Sequence, residues 1–142
     1  MNSREPHPCL ARGQTETLLA KRGIIPTHQR IEIASVLFAA RQHLSAEALM
    51  ERVNFGQASV SKATVYNTLG LFALHGLIKE VKLDPSKVFY DSNPLPHHHF
   101  FDTTTGELTD FGPEDIEISK LPVPPEGTFM DGIEVIIRVS HK

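Results

Sequence analysis

Cysteine is nearly absent: the chain of 142 residues has one, Cys9. That excludes an internal disulfide and fits a reducing, cytoplasmic setting. Long apolar runs are missing too, so nothing in the chain has the length of a membrane helix, and the first residues lack the basic-then-apolar layout of a signal peptide. No membrane partner is expected. Positive charge is not in surplus, since 14 Lys and Arg face 17 Asp and Glu for a net charge of -3. Any nucleic-acid contact must therefore come from a local face rather than from the overall balance. There is no nucleophile elbow, no Gly-rich phosphate loop and no separate acid–base pair. Internal repeats and low-complexity tracts are absent as well. What remains is ordinary globular material, 40% hydrophobic and 22% charged, enough for one ordinary domain or two small ones.

The composition changes near residue 93. Residues 1–12, with Pro6 and Pro8 and little periodicity, read as a flexible arm. Residues 13–92 carry helical patterns followed by a hairpin, and residues 93–142 carry short β-like runs, prolines and a histidine cluster. A first helix is expected from Gln14 to Arg22, ended by Gly23, and a second from Pro26-Thr27 to about Ala40. Ser45 reads as the N-cap of a third helix, and Ser61 as that of a fourth with Val65, Leu69 and Phe72 as its apolar stripe and Gly76 as its end. Leu77 to Leu83 and Val88 to Asp91 read as strands around the turn Asp84-Pro85-Ser86-Lys87. Helices followed by a hairpin are the layout of a winged helix-turn-helix. A small helical core with an incidental hairpin has the same periodicity.

The fourth helix points to DNA. With Val65, Leu69 and Phe72 inward, Lys62, Thr64, Asn67 and Thr68 are expected on other faces near the N-terminal end, the end a recognition helix puts into the major groove. Asn67 suits adenine edges, Thr64 and the Tyr66 ring suit thymine methyls, and Lys62 suits a phosphate. A merely solvated polar face is the alternative.

His97, His98 and His99 follow the hairpin. In an extended segment His97 and His99 share one face and His98 takes the other. Asp91 and Asp110 are candidate oxygen ligands beside them, and such a mixed set suits Fe(II), Mn(II) or Zn(II). Incidental histidines in a surface loop are the competing reading.

The segment Ala63-Thr64-Val65-Tyr66-Asn67-Thr68-Leu69, the hairpin ending at Asp91 and the triple histidine resemble the ferric uptake regulator family, over about Leu18 to Ile137. The resemblance implies an α+β protein: an N-terminal winged helix-turn-helix domain and a small C-terminal α/β dimerisation domain. It implies a homodimer that binds an A·T-rich palindromic operator in double-stranded DNA, in most cases as a repressor. It implies a metal site joining the domains, formed by His43, Asp91, His97, His99 and Asp110, and a second site built on His98 with Glu117. Lys62, Thr64, Tyr66 and Asn67 are the expected DNA contacts.

Three departures from the family pattern stand out. Its structural zinc uses Cys-x-x-Cys pairs, but the first pair falls on Asp102 and Thr105 and no second follows, so no four-cysteine zinc is expected and packing by Phe100, Leu108, Phe111, Ile116, Ile118 and Ile133 to Ile137 must hold the domain. Met130-Asp131-Gly132 stands where a further histidine is common, with Asp131 as its only substitute. Ile25 and His28 stand where relatives often carry basic residues, leaving Lys21, Arg22, Arg30 and Lys62 for phosphate. The cysteine loss and the sequence around the histidines resemble the haem-responsive iron response regulator branch, which makes haem a second candidate effector at His97 to His99, with Cys9 as a remote axial thiolate. Competing functions are a small metalloenzyme activating water at the His/Asp cluster, and a metal or haem carrier without DNA binding.

Overall fold

The computed structural model describes residues 10, 12–56 and 59–142. Most of the expected arm, with His7 and Cys9, lies outside the described residues. The chain divides into two compact units, Met1–Pro94 and Leu95–Lys142. No helix of the described residues is long and apolar enough to cross a membrane.

The first unit runs α1 (Arg12–Lys21), α2 (His28–Leu37), β1 (His43–Leu44), α3 (Ala46–Asn54), α4 (Lys62–Leu74), β2 (Lys79–Asp84) and β3 (Lys87–Asp91). Three helices start on a hydroxyl cap: Thr27, Ser45 and Ser61 each accept the backbone N–H three residues on, which satisfies a donor the helix itself leaves unpaired. Two helices end alike. Gly23 and Gly76 turn the chain at φ of 76° and 73°, and the N–H of the next residue, Ile24 or Leu77, returns to the carbonyl of Leu19 or Phe72 at 2.9 Å. Ile24 and Leu77 are themselves buried, so each turn also closes an apolar contact.

The core is made where these helices meet. Leu19, Ile33, Leu37, Leu49, Val65, Leu69 and Phe72 are wholly buried, including the full stripe expected of α4. The second helix stops at Leu37, short of Ala40. Its last carbonyls, on Val36 and Leu37, are taken by the Gln42 side-chain amide at 2.7 and 3.1 Å. His43 then enters a strand that its sequence context had not announced. In the resulting sheet the order is β1-β3-β2, all antiparallel, and the β2–β3 turn is tightened by Asp84 Oδ1, which accepts the Ser86 N–H at 2.8 Å.

The second unit is a three-stranded sheet of β4 (His98–Asp102), β5 (Leu108–Phe111) and β6 (Ile136–Val139), in the order β5-β4-β6. Its β4–β5 pair is antiparallel and its β4–β6 pair parallel. The helical part expected here amounts, among the described residues, to one 3₁₀ turn at Pro113–Asp115. Phe101 and Leu108 are buried, but Phe100, Ile118, Ile133 and Ile137 are exposed. Of the apolar residues expected to form a core in this unit, Phe111, Ile116, Val135 and Ile136 are half-buried, so it is covered only in part.

Candidate metal centre and nucleic-acid interface

In the first unit, the two-residue strand β1 sets His43 directly opposite Asp91 on β3. Cross-strand partners approach closely enough for their side chains to meet, and His43 Nε2 lies 3.0 Å from Asp91 Oδ2. The Asp91 carboxylate is 1% exposed, and its other oxygen accepts the Asn93 N–H at 2.9 Å. A buried carboxylate is thereby held in one orientation with one oxygen directed to the imidazole.

In the second unit, alternation along the extended segment sorts the histidines. The rings of His97 and His99 meet edge to face with centroids 4.6 Å apart. His99 pairs in register with Asp110 across β4 and β5, and His97, His99 and Asp110 each present a ligand-capable atom within 4.8 Å of the others. Asp110 Oδ1 is 3.6 Å from His97 Nε2 and 3.3 Å from His99 Nε2. His97 Nδ1 meets the Leu95 carbonyl at 2.5 Å. A carbonyl only accepts, so Nδ1 carries the proton and Nε2 keeps its lone pair for a metal.

These distances suit a transition metal. Ligand atoms about 2.1 Å from a four- or six-coordinate ion stand about 3 to 3.5 Å from one another, close to the spacings within each unit. Two imidazoles with carboxylates are a donor set for Zn, Fe or Mn. Glu134 stands near them although its sequence context did not reveal it: its Oε1 lies 3.6 Å from His99 Nδ1, close enough for its charge to act on the ring but too far for a hydrogen bond. The only hint was an acidic residue inside the apolar run Ile133 to Ile137.

His98 takes the opposite face, as expected. Its Nδ1 accepts the Val135 N–H at 3.0 Å and its ring packs on Phe111. Among the described residues, no group of three or more potential ligands includes His98, Glu117 or Asp131, and Glu117 is exposed. His97, His98 and His99 are all buried, at 6%, 7% and 0% exposed. His75 serves the fold, its Nδ1 meeting the Arg22 carbonyl beyond α1 at 2.9 Å. His141 Nε2 meets Asp102 Oδ2 at 2.5 Å.

The exposed face of α4 carries Lys62, Tyr66 and Asn67. Thr64 is half-buried, and its Oγ1 accepts the hydroxyl proton of the cap Ser61 at 2.9 Å. Thr68 differs from expectation. It is 5% exposed, because three residues beyond Val65 it lies near the inward stripe. Thr64 and Asn67 line, with Thr27, Gln29, Arg30, Thr68 and Leu71, an open groove of about 430 Å³ and mixed polarity beside the N-terminus of α2. Arg30 is steadied there by donating to the Ile25 carbonyl at 3.0 Å. Helix N-termini, amides and a guanidinium are the groups that hold phosphates and base edges.

Comparisons with known proteins identify the family. Residues 21–129 match the model of the ferric uptake regulator family. The ferric uptake regulation protein of Rhizobium leguminosarum bv. viciae is 34% identical over 103 residues, 72% of each chain. The ferric uptake regulator of Francisella tularensis, solved with iron, superposes with a TM-score of 0.71 at 27% identity over 84% of this chain and 93% of that one. Its counterpart from Pseudomonas aeruginosa, solved with manganese, gives 0.70 at 25% identity over 90% and 98%. These relatives are regulators and not enzymes, and with the family model matching most of its length, the chain belongs to the ferric uptake regulator family of metal-binding transcriptional regulators.

Proposed function

We propose that this protein is a metal-responsive repressor that binds an A·T-rich palindromic operator as a homodimer. The observation that carries the reading is the pair of ligand sets: His43 with Asp91 in one unit, and His97 and His99 with Asp110 in the other, each at metal-ligand spacing. We assign these five as regulatory metal ligands. Iron and manganese accompany related regulators, and zinc suits the same donors. When bound, metal would supply the positive charge that these imidazoles and carboxylates meet. The chain's own residues do the rest. Leu95 orients the His97 imidazole, Asn93 orients Asp91, and α4 presents Lys62, Thr64, Tyr66 and Asn67 to DNA. Apolar residues exposed on the second unit, Ile118, Phe129 and Ile133 among them, suit a second copy of the chain, and a two-fold dimer matches a palindrome.

Fluorescence anisotropy on a labelled A·T-rich palindromic duplex at fixed salt tests this. Binding is expected with Mn²⁺, to fall with chelator, and to lose its metal dependence when His97→Ala and His99→Ala are combined. A double variant that keeps wild-type metal dependence sinks the assignment. Release by haem in the same titration would instead support the haem-responsive branch.

A further inference from the structure

The hydroxyl of Tyr66 on α4 donates to Glu47 Oε1 in the first turn of α3 at 2.7 Å. The Lys62 ammonium stands 5.9 Å from the centroid of the same ring. Tyr66 nevertheless stays 40% exposed, so its ring is held at one end and still reaches solvent. Bonding to an ionised acceptor is the strong form of a hydrogen bond. It holds the Glu47 carboxyl below its ordinary range and the Tyr66 phenol above its own.

We propose that Glu47 is a positioning residue for sequence readout, fixing the Tyr66 ring so that it meets the major groove as an apolar surface and not as a hydrogen-bond donor. The proposal rests on the DNA-binding reading above. A phenol free to turn would donate to whichever phosphate or base acceptor lay nearest, adding affinity without discrimination. With its proton given to Glu47, the ring has only its apolar face and edge to offer, and these recognise a thymine methyl. The tether matters because there is space to leave it. A recess of about 290 Å³, lined by Ser45, Glu47, Tyr66, Lys87, Phe89 and Tyr90, lies beside the ring. Untethered, Tyr66 can turn into it, away from DNA. Glu47 acts a second way, since its carboxylate on this face repels phosphates and weakens binding to arbitrary sequence.

These two roles separate by substitution. Duplexes selected by the wild-type protein from a randomised pool, and scrambled versions of them, are titrated at two salt concentrations with Mn²⁺ present. Glu47→Ala is expected to lower the selected-to-scrambled affinity ratio about tenfold while tightening binding to scrambled DNA. Tyr66→Phe is expected to lower the ratio similarly without that tightening, and the double variant to lose no more than either. Glu47→Gln keeps an acceptor without the charge, so it restores the ratio while scrambled binding stays tight. In the free protein, Glu47→Ala brings down the tyrosinate absorbance titration that Tyr66→Phe removes, towards the ordinary value of about 10. An unchanged ratio in Glu47→Ala, or losses that add in the double variant, overturns the proposal alone. A wild-type protein that selects no duplex overturns both it and the DNA-binding reading.

Discussion

Asp102 Oδ2 and His141 Nε2 lie 2.5 Å apart, which ties the residues after β6 to the turn between β4 and β5. The other Asp102 oxygen accepts the N–H groups of Thr104 and Thr105 at 2.9 and 3.1 Å, and the His141 N–H donates to Thr104 Oγ1 at 3.0 Å. Asp102 and Thr105 are the positions where the resemblance would have put a cysteine pair. A polar clasp occupies this turn.

The clasp makes a pH prediction. Desolvation pushes the Asp102 carboxyl up, but the Thr105 N–H, the His141 ring and the Thr104 N–H together outweigh it and leave the group below its ordinary value. A carboxyl depressed in the folded state contributes stability that is present above its unfolded pKa of about 3.9 and lost as pH falls through the folded value. Amide exchange at Thr104 and Thr105 is therefore expected to stay slow at pH 5 and to quicken below pH 4, after correction for intrinsic rates. His141→Ala should quicken it already at pH 6, and amides of α4 should not respond. Equal loosening of both units by His141→Ala would show that the clasp is not local.

What could be read from sequence is what depends on neighbours in sequence. Ser45 and Ser61 were legible as caps, and Gly23 and Gly76 as helix ends, because each acts within about one turn of the helix. His97 and His99 were legible as a pair because alternation is a property of the strand itself. The rest depends on residues far apart in the chain. Gln42 shortens α2 through its side chain, β1 exists only through its pairing with β3, and Glu134 reaches His99 only because β6 lies alongside β4 in parallel. His43 entered the candidate set through resemblance alone, and the structure supplies its reason, the register with Asp91. Thr68 shows the limit of a helical wheel, where a residue at the edge of the stripe goes inward or outward according to what packs against it.

The turn at Gly76 offers a test of backbone strain without steric clash. A methyl added there meets only Arg22 Nη1, at 3.8 Å, so what Gly76→Ala costs comes from holding φ at +73°. That is about 1 to 2 kcal/mol for a residue with a Cβ. A thermal melt should show a drop of several degrees. No change would mean that the turn rearranges at little cost.

Ser61 begins the helix that carries the DNA contacts, and it bonds Thr64 twice, accepting its N–H at 3.2 Å and donating to its Oγ1 at 2.9 Å. Ser61→Ala removes both and is expected to lower stability by about 1 kcal/mol. It should also weaken DNA binding, because Thr64 loses the bond that fixes its hydroxyl. Ser61→Asp keeps the cap and recovers the stability, but places a negative charge next to phosphate. Melting and operator affinity should therefore part company in Ser61→Asp and fall together in Ser61→Ala. If Ser61→Asp binds the operator as well as wild type, the helix N-terminus does not approach the phosphate backbone.

Glu134 gives the sharpest test of the metal reading, because it affects the ion only through His99. Its carboxylate, 3.6 Å from His99 Nδ1, is too far for a hydrogen bond, but its charge favours a proton on Nδ1 and so leaves Nε2 for the ion, the atom that also stands 3.3 Å from Asp110 Oδ1. Glu134→Gln keeps the shape and removes the charge, and metal affinity is expected to fall about 10-fold or more. His99→Ala removes a ligand and should abolish tight binding, at a further cost in stability because the side chain is wholly buried. Calorimetric titration with Mn²⁺ or Zn²⁺ distinguishes these cases, and melting of the metal-free protein measures the structural part. Glu134→Gln should change the first and hardly the second. Were it to destabilise the metal-free protein and leave the titration untouched, Glu134 would be a surface partner of β6, and His99 would owe its orientation to packing alone.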